Sequence, residues 1–221
     1  MSTIIVYVHG LWFTGLEATY LRRELARELL AEDRNFPYHS MSATISESAA
    51  ELGEFVAACC AGENGAADTL HLVGHSMGGL VILKLCENPP PLPPGRILLL
   101  GPPAQGSRAA LGLARLPFGR NLLGRGIEEA VLDAAARGCA TPRRWHGPRE
   151  LGIIAGDTAF GLGGLVAQFD GPNDGVVLVE ETRLAGASDH LVLPVNHAGM
   201  LFSLEVVRQG AEFLRAGKFV R

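Results

Sequence analysis

Gly74-His-Ser-Met-Gly78 decides the reading of this chain. It follows a continuous apolar run, Thr69–Val73, and opens an apolar helical pattern over Met77–Cys86. Strand, tight turn and helix in that order form the G-x-S-x-G setting in which a serine stands exposed at the end of a sheet. The turn forces the serine into a strained backbone conformation, and side chains two residues to either side would collide with it. Gly74 and Gly78 remove those side chains, and Gly79 permits close packing of the helix. Ser76 then lies at a helix N-terminus, where the dipole favours negative charge. The same pattern also arises by chance in ordinary glycine-rich βα turns. The flanking strand, helix and third glycine set this one apart.

Short continuous apolar runs recur on either side of that turn, at Thr3–Val8, Arg96–Leu100, Leu151–Ala155 and His190–Val195. Runs of this kind, bounded by Gly or Pro, suit strands buried on both faces. Tyr38–Ile45 is a weaker strand candidate. Helical patterns lie between them, over Glu17–Leu30, Glu47–Ala61, Ile127–Ala136 and Gly199–Leu214. In the last, Leu201, Leu204, Val207, Ala211 and Leu214 share one face. Strands alternating with helices predict an α/β fold, a mostly parallel sheet with helices on both faces. In such sheets the chemistry sits in the loops at the carboxyl ends of the strands.

Composition excludes several classes. With 221 residues the default is one domain spanning residues 1–221. A chain that is 48% hydrophobic and 19% charged is not disordered. Nineteen Lys and Arg against 23 Asp and Glu give a net charge of −4, which argues against nucleic acid or an anionic membrane as the main partner. No run reaches the ~18–20 apolar residues of a spanning helix. The N-terminus has neither a basic region nor a cleavage pattern, so a cytoplasmic location is expected. Cys59, Cys60, Cys86 and Cys139 show no CxxC spacing, which favours free thiols over zinc or a disulfide framework. No metal or cofactor is expected.

A serine hydroxyl needs a base to take its proton. Of seven histidines, His197 lies directly after the last strand and before the C-terminal helix, in Pro194-Val-Asn-His-Ala-Gly199. His190 is its rival, although Asp189-His190 also reads as a strand start. His75 neighbours the serine and should point away from it; His9 reads as a buried histidine fixing its loop. The base needs a carboxylate to orient it, and in this fold the order is Ser, Asp or Glu, then His. The loop carboxylates ahead of His197 are Asp157, Asp170, Asp174, Glu180, Glu181 and Asp189, and Asp174, in the turn-rich Gly171-Pro-Asn-Asp-Gly175, is preferred. Asp157, in Ala155-Gly-Asp, competes with it, its alternative reading being a cap. An oxyanion needs backbone N–H donors already in place. Met77 should supply one and Leu11, after the bend at Gly10, the other. Trp12 and Phe13 either line an acyl pocket or fill core.

With these motifs the chain resembles the α/β-hydrolase superfamily on its lipase and esterase side. Val8-His-Gly-Leu11, Gly74-His-Ser-Met-Gly-Gly79, Asn173-Asp-Gly-Val176 and Asn196-His-Ala-Gly199 carry the resemblance, in the family's order and across nearly the whole chain. More narrowly it is similar to small bacterial esterases related to GPI inositol-deacylase-like proteins. The resemblance implies Ser76, Asp174 and His197 as a triad, with Leu11 and Met77 as oxyanion donors. The family sheet has eight strands, and this chain begins at the strand leading into the His-Gly loop. A minimal version with about six strands is therefore expected. Residues 101–147 are the one cap or lid candidate; their leucines either cover the site or pack on the sheet. The seven arginines between Arg108 and Arg144 either form a solvated face or attract acidic substrates or a carrier. The implied activity is hydrolysis of short- to medium-chain acyl esters, small-molecule substrates, through an acyl-enzyme. A thioesterase or acyltransferase with the same triad is an alternative, as is a non-catalytic interaction module.

Overall fold

In a computed structural model the chain is described over residues 2–61, 66–137, 142–160 and 169–221. Cys139 lies outside them. Strands β1 (Thr3–Val8), β2 (Glu32–Phe36), β3 (Thr69–His75), β4 (Ile97–Leu100), β5 (Leu151–Gly156) and β6 (Asp189–Leu193) form one sheet. Its order is β2-β1-β3-β4-β5-β6, and every neighbouring pair is parallel. Helices α1 (Thr19–Leu29), α2 (Ile45–Cys60), α3 (Met77–Leu85), α4 (Arg108–Ala114), α5 (Gly119–Arg137), α6 (Val179–Thr182) and α7 (Leu204–Ala216) complete it. Helix α5 is kinked at Gly124.

Alternation along the strands builds two cores. On one face Ile4, Val6, Val8, Leu70, Leu72, Ile97, Leu99 and Ile153 meet Leu52 and Val56 of α2 and Leu80 and Val81 of α3. On the other, Ile5, Tyr7, Val73, Leu98, Leu100 and Ile154 meet Leu21 and Leu25 of α1 and Val207, Phe213 and Leu214 of α7. Successive side chains on a strand point to opposite faces, so a strand covered on both must be apolar throughout. The continuous runs in the sequence are the direct trace of that burial.

Two expectations need correction. The second strand is not Tyr38–Ile45 but Glu32–Phe36, Glu-Asp-Arg-Asn-Phe. It is an edge strand bonded only to β1, and Phe36 alone of its side chains is buried. Charged residues suit such an edge because they discourage further pairing. Residues 38–44 instead form the loop that ends in the N-cap Thr44, whose side chain and that of Glu47 bond each other's backbone amides, and Ile45 opens α2. The C-terminal pattern is also not one helix. A 3₁₀ turn over Gly199–Phe202 ends at Ser203, whose Oγ caps α7 by accepting from the Val206 amide. The change of phase leaves Leu204 65% exposed, off the face it was expected to share. Among the described residues no helix is long and apolar enough to cross a membrane.

The first sheet face also holds a titration. His71, on β3, is buried, and its Nδ1 accepts the Arg96 amide at 3.0 Å. Burial, with Arg96 and Arg149 nearby, pushes its pKa down to about 4 from 6.5. Burial lowers the pKa values of His9, His75 and His190 as well. In the unfolded chain these rings protonate first as pH falls, so stability is full above about 6.5 and is lost toward about 4. For His71 alone the whole interval corresponds to about 3 kcal/mol. Urea midpoints at pH 7 and pH 4.5 should show a large acid loss in the wild type. The loss should be smaller in His71→Asn, which keeps an acceptor for the Arg96 amide but cannot titrate. Equal losses in both would remove His71 as the cause.

Candidate active site

The β3–α3 turn holds Ser76 at φ 54° and ψ −122°, in the left-handed half of the map that a side chain rarely adopts. Such a residue costs on the order of 1–3 kcal/mol and persists only where its surroundings enforce it. The enforcing contact is steric. A Cβ at Gly78 would stand 2.1 Å from the Val8 carbonyl oxygen and 2.5 Å from that of His9. Helix α3 therefore begins hard against the end of β1. Ser76 is held in place by its amide, which donates to the Leu100 carbonyl at 2.9 Å.

Asp174 and His197 meet at the ends of β5 and β6. His197 Nδ1 donates to Asp174 Oδ2 at 2.7 Å, and the His197 amide donates to the Asp174 carbonyl at 2.9 Å. The other carboxylate oxygen of Asp174 accepts from the amides of Val176 (2.9 Å) and Val177 (2.7 Å). The turn chemistry of Gly171–Gly175 thus aims this side chain, which is 1% exposed. With Nδ1 carrying the proton, Nε2 is left as the free acceptor of the ring. Asp157 is exposed, and its amide ends β5 by donating to Leu193; it makes no hydrogen bond to His197. His190 is bonded to the Thr182 hydroxyl at 2.9 Å.

The loop after β1 completes the arrangement. His9 is buried, donates from Nδ1 to the Gly10 carbonyl at 2.8 Å and stacks on Tyr38 at 4.3 Å. The Tyr38 hydroxyl donates to the His9 carbonyl at 2.8 Å. These contacts match the structural role expected of His9. Among the described residues the amides of Leu11 and Met77 find no acceptor. Trp12 is 55% exposed with φ 64°, and its indole N–H donates to the Leu122 carbonyl of α5 at 2.9 Å. Phe13 is half-buried, packing against the core and facing the His75 ring, so Trp12 is the more exposed of the two aromatics.

Sequence reasoning missed Gly101 and Gln105 and weighed Glu181 only as a rival to Asp174. Gly101, with φ 54°, lies under the Asp174–His197 pair; a Cβ there would be 3.1 Å from both Asp174 Oδ2 and His197 Nδ1. Its signal was the abrupt Leu100-Gly-Pro-Pro103 end of an apolar run. Glu181 is buried, and its carboxylate accepts from the amides of Arg108 (2.6 Å) and Leu178 (2.9 Å); burial raises its pKa. Gln105 bonds both backbone groups of Arg143, and its Nε2 also donates to the Arg183 carbonyl at 2.7 Å. Nothing in a one-dimensional pattern marks the Gln105 contacts or the Glu181–Arg108 bond, because those partners are distant along the chain; the Glu181–Leu178 bond is local. Among the described residues no three His, Cys, Asp or Glu side chains converge as a metal site.

A sequence model described as "Alpha/beta hydrolase family" matches residues 5–199. The chain belongs to the alpha/beta hydrolase family. No curated protein sequence matches it. Among solved structures, this hydrolase is similar to the mature lipase BlEst2 of Bacillus licheniformis, with TM-score 0.68 and 18% identity over 90% of this chain and 86% of that one. It is also similar to the lin2722 product of Listeria innocua, with TM-score 0.61 and 14% identity over 100% and 96%. A third is the NocB thioesterase domain from the nocardicin cluster, with TM-score 0.50 and 18% identity over 97% and 93%. At these identities the likeness is one of fold.

The Gly78 contact makes a sharp prediction for this hydrolase. Gly78→Ala should lower the urea midpoint, with the m-value unchanged, by the equivalent of about 1–3 kcal/mol or more, as overpacking against rigid backbone does. Gly171→Ala is the control, since a Cβ there meets nothing closer than 3.9 Å. Equal midpoints for both variants would show that the elbow has room the structure denies it.

Proposed function

We propose that the protein is a serine hydrolase of carboxylic esters, with Ser76 as nucleophile, His197 as general base and Asp174 as the carboxylate that orients it. The observation that carries this reading is the buried 2.7 Å Asp174–His197 bond on the same sheet edge as the strained Ser76 turn. His197 Nε2 takes the Ser76 proton as Oγ attacks the acyl carbonyl. The tetrahedral oxyanion accepts from the otherwise unpartnered amides of Leu11 and Met77, donors that need no reorganisation when charge develops. His197 then protonates the departing alcohol, and water, activated by the same ring, releases the acid. Asp174 holds the ring throughout, its two oxygens bonded to two backbone amides and the imidazole.

Substrates are small acyl esters of short to medium chain. The exposed Trp12 and the neighbouring Leu122 form an open apolar shelf for the acyl group, and each buried CH₂ adds at most about 0.8 kcal/mol. A thioester substrate is the second reading, favoured by likeness to a thioesterase domain and requiring no change of machinery. Free Cys59, Cys60 and Cys86 fit a reducing, cytoplasmic setting.

Ser76→Ala should abolish hydrolysis of p-nitrophenyl esters and labelling by a fluorophosphonate, with its melting temperature retained. Asp174→Asn should lower kcat by up to about 10⁴-fold and Asp157→Asn only slightly. The reverse order in two folded variants would transfer the role to Asp157. Full activity without Ser76 would end the serine reading, and a wild type that takes no label would indicate a non-catalytic module.

A panel of p-nitrophenyl and acyl-CoA esters of rising chain length should show kcat/KM highest at short to medium acyl groups and falling beyond. A preference for long chains would contradict the open shelf. Higher kcat/KM on the CoA series would move the assignment to a thioesterase.

A further inference from the structure

His75, the residue before Ser76, is 0% exposed, yet the chemistry above does not use it. Its Nε2 lies 3.1 Å from the backbone carbonyl oxygen of His197. A carbonyl only accepts, so Nε2 carries the proton and Nδ1 is a bare acceptor. That Nδ1 is buried without a partner, facing Gly10, where a Cβ would stand only 3.2 Å from it. The ring lies 4.7 Å from the His197 ring, and Phe13 covers it at 6.0 Å. A buried acceptor left unpaired costs about 1–3 kcal/mol. An aromatic hydrocarbon of similar shape would fill the same space without that cost, so packing alone does not account for a histidine here. What the imidazole adds is the N–H aimed at His197.

That bond completes the restraint of His197. Its amide is held by the Asp174 carbonyl, its Nδ1 by the Asp174 carboxylate, and its carbonyl by His75. We propose that His75 is a positioning residue, whose Nε2–H sets the placement of His197 relative to Ser76. His75 and Ser76 share a peptide bond, so nucleophile and base are referenced to one stretch of backbone. The strut moves with the serine, and the two reacting groups are linked through the backbone and imidazole of His75 and one hydrogen bond to the His197 backbone. Burial and the nearby His197 keep His75 neutral, so it does not oppose the charge that His197 acquires in turnover. The proposal rests on the reading of Ser76, Asp174 and His197 as the reacting machinery.

Two substitutions separate the donor from the ring. His75→Phe keeps an aromatic ring of comparable size and removes the N–H; His75→Gln removes the ring and keeps an amide N–H of similar reach. His75→Phe should lower kcat about 10–100-fold, the range expected for sub-ångström to 1 Å misplacement of a catalytic group, with KM within about twofold. Its melting temperature should not fall, and its rate of fluorophosphonate labelling should drop in parallel with kcat. His75→Gln should recover kcat to within about fivefold of wild type. If His75→Phe did not fold, His75→Asn, whose amide stops short of the His197 carbonyl, must show the same kcat loss. Wild-type kcat in the Phe or Asn variant, or a Gln variant as slow as Phe, overturns the proposal. Ser76→Ala is run alongside: activity surviving there would defeat the serine reading itself, whereas an inactive Ser76→Ala with a fully active His75→Phe would defeat only the strut.

Discussion

Helix α3 starts so close to the end of β1 that a Cβ on Gly78 would stand 2.1 Å from the Val8 carbonyl oxygen. A hydrogen atom fits there and a methyl group does not. Because α3 starts so near β1, the chain leaving β3 has no room for a relaxed turn, and Ser76 takes the left-handed conformation. The same proximity brings Gly10, in the loop after β1, against His75 and Ser76 at the start of α3. The strain, of order 1–3 kcal/mol, is sustained by strands whose side chains are buried on both faces of the sheet. The core thus stabilises a local geometry that no short peptide would keep.

Electrostatics follow a similar logic. Asp174 is almost fully buried, yet no lysine or arginine pairs with it among the described residues. Backbone amides and one imidazole take up its charge. A cation in that place would compete with His197 for the carboxylate and weaken its hold on the ring. His9 and His75, both pushed toward the neutral form by burial, flank the site without adding charge. His197 is left as the one ring among these three with a carboxylate partner.

Much of this was legible in one dimension. Buried parallel strands must be apolar on both faces, so β1, β3, β4 and β5 were visible within a residue or two. The Gly74–Gly79 turn, the Asp174 turn and the position of His197 could be read because each is local. What escaped depended on distance or on exposure. Strand β2 is polar because one edge and most of its side chains meet solvent, so no apolar run announced it. Leu204 fell off its expected face because Ser203 restarted the helix in a new phase. Gly101 lies against Asp174 and His197, and Glu181 holds the Arg108 amide, all tens of residues away. His75 was expected to point away from Ser76, and its hold on the His197 carbonyl, 122 positions distant, is a property of the fold alone.

Gln105 also ties together what the chain separates. The segment carrying α4 and α5 departs just after this residue and returns at Arg143, where the same amide group grips it by both backbone atoms. Entry and exit are therefore fixed independently of what lies between them. Loop-closure entropy grows only slowly with length, by about 0.6 kcal/mol per doubling. The segment between still packs on the core through Ala110, Leu123 and Ile127, so its length is freer than its apolar face. The Gln105 joint fixes where the segment begins and ends, and the apolar contacts of α4 and α5 fix how it lies on the core.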